Sequence, residues 1–127
     1  MTARTLRWAV VLVDLDPTVG HEQQGQRRCL VVSNEPFHLS GRATVCPITA
    51  ARSEIRYPNE VAIPAGQAGQ TKDGVVLVHQ VRTVSLERVR SQMLGTVDDN
   101  DIRSAVRRSL AHHFWLDRPD DDDQAVA

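Results

Sequence analysis

The chain has 127 residues, a formal net charge of −1 and a hydrophobic fraction of 41%. That length suits one domain with a core of its own, held by neither disulfides nor metal. No uninterrupted apolar stretch approaches the ~20 residues of a membrane helix, so the composition argues for a cytoplasmic protein without a membrane partner.

Charge is unevenly spread. Asp117, Asp120, Asp121, Asp122 and Asp123 face only Arg118 in the tail, which leaves residues 1–116 with a net charge of +3. The division predicted is a single domain over 1–116 and an acidic, disordered tail over 117–127. The tail is read as solubilising, with weak competition against an anionic ligand as the alternative. A mildly basic body that favours arginine over lysine is compatible with phosphate ligands.

The apolar run after Arg7 resembles a signal peptide superficially, but it ends in Asp14-Leu15-Asp16 with no small-residue cleavage site. It is therefore read as a first strand, 8–15. A polar loop with two glycines follows, placing Arg27 and Arg28 at its end, before a second strand over 29–34. Pro36 stops that strand. A third strand is predicted over 42–49, and a half-buried one over 59–63, where polar and apolar residues alternate. Pro64 to Gln70 reads as a loop. A long buried strand is expected over 74–84, a helical turn over 86–89 and a short strand over 93–97. The clearest helix spans 99–116, capped by Asp98 or Asp99, with Ile102, Val106 and Leu110 on its buried stripe, widened by Ala105 and Phe114. Arg103 and Arg107 are expected to look outward, and Trp115 to pack on the body. The fold class is mainly β with a C-terminal helix, a small twisted barrel.

Cys29 and Cys46 lie in β-type runs. They could face one another on neighbouring strands, but buried reduced thiols are the favoured reading. No residues have zinc-ligand spacing, and adjacent His112 and His113 point to different helix faces, so neither metal nor other cofactor is expected.

Three polar groups fall where strands meet loops: Glu22, Arg27 and Thr49. An arginine can hold two phosphate oxygens and stays charged as negative charge builds. A hydroxyl donates to the same oxygens, and a carboxylate can take a proton. These types suit a metal-free phosphodiester transfer, although from spacing alone a surface ion pair and a turn threonine explain them as well. His21 and His38 read as exposed loop residues.

Asp14-Leu15-Asp16-Pro17-Thr18-Val19-Gly20-His21-Glu22-Gln23 followed by Gly25-Gln26-Arg27 resembles the opening of the MazF/PemK family of toxin endoribonucleases. The likeness continues through Leu30–Asn34, Val45–Thr49, Tyr57–Val61, Lys72–Val84 and Leu94–Val97, over roughly residues 7–116. The resemblance implies the SH3-like barrel shared by MazF and CcdB-type toxins. It also implies a homodimer, a MazE-like antitoxin as partner and metal-independent cleavage of single-stranded RNA. In that chemistry the ribose 2′-hydroxyl attacks its own phosphate, giving 2′,3′-cyclic phosphate and 5′-hydroxyl ends. By the same resemblance Arg27 and Thr49 are catalytic and Glu22 assists, and Thr18, Gly20, His21, Gln23, Arg28, Arg52, His79 and Gln80 are the expected RNA contacts.

The chain departs from the family pattern at several places. Arg28 stands where a proline is usual, so either arginine could hold the phosphate, with register through Leu30–Ser33 favouring Arg27. Trp8-Ala9 replaces the usual Gly-Asp, Val11-Leu12 replaces a tryptophan, and Ala50 stands where a hydroxyl residue is common. His79 replaces an acidic residue. It could carry protons, contact RNA in an altered way or be a plain surface residue; altered contact is the favoured reading. The alternatives to cleavage are a degenerate RNA-binding relative and a gyrase-inhibiting toxin of the same fold. The end Gln124-Ala125-Val126-Ala127 lacks the Trp-Gly-Ile terminus of the latter.

Overall fold

The computed structural model describes residues 5–17, 19–22 and 25–119. Its strands are β1 (Ala9–Asp14), β2 (Gln26–Val31), β3 (Arg42–Thr49), β4 (Glu60–Ile63), β5 (Gly74–Leu77), β6 (Arg82–Ser85) and β7 (Gly95–Thr96), followed by one helix, α1 (Asn100–His113). All pairings are antiparallel, in the order β4-β5-β3-β2-β1-β7, and β6 also pairs with β3. The sheet curls as a half-barrel, which agrees with the mainly β expectation.

Side-chain alternation along the central strands builds a core on each face. Val10, Leu30, Cys46, Ile48 and Val76 lie on one face with Trp8 and Val106 of α1. Val11, Val13, Cys29, Val31 and Val45 lie on the other, with Leu15 and Val84. Asp99 caps α1, its carboxylate accepting from the amides of Asp101 and Ile102 at 2.8 and 3.1 Å. Val106 is fully buried, and Ile102, Ala105 and Leu110 pack beside it; burying one such side chain stabilises by roughly 1.5–3 kcal/mol.

Several expectations need correction. α1 stops at His113, because Trp115 takes a left-handed φ of 61° that turns the chain off the helix axis. Phe114 and Trp115 are consequently exposed, and the Trp115 ring stacks with Arg118 at 5.2 Å rather than on the body. Arg103 does not point away: its guanidinium lies 5.4 Å from the Trp8 ring centre and its Nε donates to the Val97 carbonyl at 2.7 Å. A 3-10 turn over Glu35–Ser40, capped by Asn34, buries His38, whose Nε2 lies 2.7 Å from Ser33 Oγ. The predicted strand 93–97 shrinks to two residues, where the loop before β5 crosses it. Gly95 permits that crossing, since a Cβ there would stand 2.3 Å from the backbone of Ala68.

β2 begins at Gln26 and ends at Val31, so Arg27 and Arg28 belong to the strand and not to the loop. The predicted strand 74–84 is broken by a 3-10 turn over Val78–Gln80. Its two halves pair with β3 in different registers: Ile48 opposes Val76 on β5, whereas Val45 opposes Arg82 on β6. Continued to Pro47, the first register would place Leu77 opposite it and the second Gln80. The register shifts by three residues there, and Val78–Gln80 are the ones looped out. Pro47 has no N–H to give a ladder, so pairing fails there at little cost.

Cys29 and Cys46 are free and buried, on opposite faces of the sheet. Among the described residues no helix is long and apolar enough to cross a membrane. Thr18, Gln23 and the acidic run Asp120–Asp123 lie outside the described residues.

Candidate active site

The β1–β2 loop is closed at its neck by two hydrogen bonds. Leu15 N donates to the Gly25 carbonyl at 2.9 Å, and Gly25 N donates to Asp16 Oδ1 at 2.9 Å. Gly25 holds a φ of 74°, which suits glycine and lets the chain enter β2 directly from the turn. Within the loop, Glu22 folds back on itself, its Oε1 accepting from Val19 N at 2.6 Å. Gly20 and His21 are exposed on the same loop.

Arg27 and Arg28 are neighbours in a strand, so they face opposite sides of the sheet. Arg28 turns towards the loop before β5, donating to the Gly69 carbonyl at 3.1 Å and to Gln70 Oε1 at 3.2 Å. Arg27 lies on the face of Cys29, which is opposite Pro47. Carrying that register two residues further sets Arg27 level with Thr49 on one face. Arg27 is exposed, and its side chain makes no hydrogen bond or ion pair among the described residues. Thr49 Oγ1 accepts from Ala51 N at 3.2 Å, which leaves the hydroxyl hydrogen free to donate. Strand alternation separates the two arginines: by this register Arg27 shares the face of Thr49, and Arg28 does not.

Two adjoining cavities lie on this face. One, about 380 Å³, is lined by Leu15, Glu22, Pro47, Val81 and Arg82. The other, about 330 Å³, is lined by Thr49, Ala51, Arg52, Arg56 and Leu77. His79 and Gln80 line both. The turn that interrupts the predicted strand therefore forms the ridge between the Glu22 and Thr49 sides of a continuous cleft. Arg82 adds a guanidinium to the first cavity, anchored by donation to the Leu15 carbonyl at 3.2 Å.

The floor of the second cavity is organised by Glu60, which the sequence pattern did not nominate. Its side chain is 0% exposed and accepts from Arg52 Nη1 and Nη2 at 2.9 and 2.6 Å, from Arg56 N at 2.9 Å and from His79 Nε2 at 3.0 Å. The Arg52 hydrogen bonds outweigh the cost of burial and bring the Glu60 carboxyl down to about 2, so it is ionised at neutral pH. The same pairing raises Arg52 above the ordinary arginine value. Arg52 is therefore committed to Glu60, while still lining the second cavity. The signal for Glu60 in the sequence was a carboxylate inside a four-residue strand with Arg52 and Arg56 just before it. Arg82 was legible only as part of a motif.

A family model for the PemK-like, MazF-like toxin of type II toxin-antitoxin systems matches residues 6–114. The chain belongs to this family. The endoribonuclease toxin ChpB of Escherichia coli K12 is 37% identical over 106 residues, covering 83% of this chain and 90% of ChpB. Among solved structures, MazF from Deinococcus radiodurans superposes with a TM-score of 0.72 at 29% identity, covering 86% of this chain and 94% of that one. A MazE–MazF structure from the same organism gives a TM-score of 0.65 at 25% identity, covering 85% and 92%. In this PemK/MazF-like toxin the half-barrel sets Thr49 at the end of β3 and Arg27 near the start of β2.

Proposed function

We propose that this protein is the toxin of a type II toxin–antitoxin pair and a metal-independent endoribonuclease acting on single-stranded RNA. The reading is supported chiefly by the β2–β3 register, which, carried on two residues, puts Arg27 and Thr49 on one sheet face, beside a cleft edged by Glu22, His79, Gln80 and Arg82. In this reading Arg27 holds the non-bridging oxygens of the scissile phosphate, and its fixed positive charge meets the charge that builds as phosphorus becomes five-coordinate. Thr49 donates its hydroxyl to the same oxygens. The 2′-oxygen attacks in line, the bond to the 5′-oxygen breaks, and a 2′,3′-cyclic phosphate and a 5′-hydroxyl result. DNA, which lacks the attacking group, is left intact.

Gly20, His21 and Gln80 flank the cleft as RNA contacts, with Thr18 and Gln23 as the remaining loop candidates. The toxin works as a cytoplasmic homodimer and is silenced by a MazE-like antitoxin; the MazE–MazF pairing named for the D. radiodurans structure supports the antitoxin. Two reduced, buried cysteines suit that compartment.

The test is incubation of purified protein with a long RNA in EDTA, followed by end analysis. Cyclic-phosphate ends that vanish in Arg27→Ala and Thr49→Ala are expected. Intact RNA would leave a non-cleaving RNA-binding relative as the better description, and loss of cleavage in EDTA would exclude the metal-free route.

A further inference from the structure

The cleft contains one imidazole whose two nitrogens have different fates. His79 Nε2 lies 3.0 Å from Glu60 Oε2, and Glu60 is also held by both Arg52 nitrogens and by Arg56 N. A carboxylate so surrounded stays ionised and can only accept hydrogen bonds. Nε2 must therefore carry a hydrogen in the neutral ring as well as in the charged one. It follows that the neutral ring keeps its lone pair on Nδ1, the nitrogen with no partner among the described residues. The ring is fixed from a second side by Tyr57, edge-on at a centroid distance of 6.2 Å. Its backbone is tied to β4 by His79 N donating to the Asn59 carbonyl at 3.2 Å. An oriented imidazole backed by an ionised carboxylate is the arrangement that makes a positioned general base.

Other proton carriers in the cleft are less well placed. Glu22 is exposed and its Oε1 is occupied by Val19 N. Arg27, Arg52 and Arg82 do not give up protons at neutral pH. Resting on the ribonuclease reading above, we propose that His79 Nδ1 takes the proton of the attacking 2′-hydroxyl, and that Glu60 is the positioning residue that reserves that nitrogen for the task. The proton passes from the 2′-oxygen to Nδ1 as that oxygen closes on phosphorus. The P–O5′ bond breaks with its electron pair going to the 5′-oxygen, which takes a proton from water at the open end of the cleft. The imidazolium then returns its proton to solvent. Glu60 balances the positive charge carried by the ring in between, as the buried carboxylate of a catalytic triad does.

The charged and titratable groups around the ring are Glu60 on β4, Arg52, Arg56 and Tyr57 in the preceding loop, Arg82 on β6, Glu22 across the first cavity and, from α1, His113, whose Nδ1 lies 2.9 Å from Asn59 Nδ2.

The experiment uses the full chain in EDTA and a chimeric oligonucleotide with one ribose at a cleavage site mapped on long RNA. His79→Ala is expected to lower the single-turnover rate about 10²–10⁴-fold. Affinity for the all-deoxy analogue should stay within about threefold, and added imidazole should restore part of the rate. The acid limb of the wild-type pH–rate profile should vanish in the variant. In ¹⁵N spectra of the wild-type protein, the hydrogen on Nε2 should persist above the titration while Nδ1 loses its own. A wild-type rate in His79→Ala overturns the proposal. So does a lost rate that comes with lost affinity and no imidazole rescue, or a neutral ring protonated on Nδ1. These results are separable from failure of the underlying reading: a wild-type protein that yields no cyclic-phosphate ends defeats the ribonuclease assignment, whereas cleavage by an unimpaired His79→Ala defeats the role of His79 alone.

Discussion

Replacing Glu60 with glutamine keeps the shape of the side chain and removes its charge, while Arg52, Arg56 N and His79 still converge on it. The folded carboxyl titrates at about 2 against an ordinary value of 4.5. At about 1.4 kcal/mol per pH unit, that gap corresponds to roughly 3 kcal/mol of folding stability, the scale found when one partner of a buried ion pair is removed, about 3–5 kcal/mol. Because the folded value lies below the unfolded one, the contribution is fully present above pH 4.5 and is lost as pH falls through about 2. Urea unfolding of wild type and Glu60→Gln at equal protein concentration, from pH 7 down to pH 2, measures the effect directly. The variant should be less stable by about 3 kcal/mol at pH 7. The two curves should converge between pH 4.5 and pH 2. The difference between the proteins is the quantity to read, since other carboxylates titrate equally in both. A gap that stays constant down to pH 2, or no gap at pH 7, would refute the claim that an ionised Glu60 organises this side of the cleft.

Arg28→Ala should leave the cyclic-phosphate chemistry in place, because Arg28 faces Gly69 and Gln70 on the sheet side opposite Arg27. Loss of those two bonds should cost about 1–3 kcal/mol in urea unfolding; cleavage abolished by Arg28→Ala and spared by Arg27→Ala would reverse the facing of the strand. Cys29 and Cys46 should resist a thiol reagent at pH 8 in the native protein, since burial pushes both thiols up to about 12. Both should react on denaturation, and a rapid native reaction of either one would show that its side of the core opens readily.

What the sequence determined by itself is local and periodic. The four-residue spacing of Ile102, Val106 and Leu110, with Asp99 before it, placed α1 on the sheet, and apolar runs bounded by proline and polar loops located most of the strands. Family resemblance then pointed to Glu22 and Thr49, which line the two adjoining cavities, and to the exposed Arg27. The apolar run through Val75–Val84 reads as one strand because nothing in it opposes extension. It breaks because each half pairs with a different stretch of β3, in registers that disagree by the three residues Val78–Gln80. Glu60 and Ala62 share a strand face, and pattern would expose both. Arg52 and His79 arrive from elsewhere in the chain to cover only Glu60. Likewise, which of Arg27 and Arg28 shares the face of Thr49 follows from the register of β2 against β3, a long-range pairing. Propensity and periodicity act over a turn or two of chain, whereas register and the partners of a buried charge depend on residues tens of positions apart. Tertiary structure alone decided which side chains meet across the cleft.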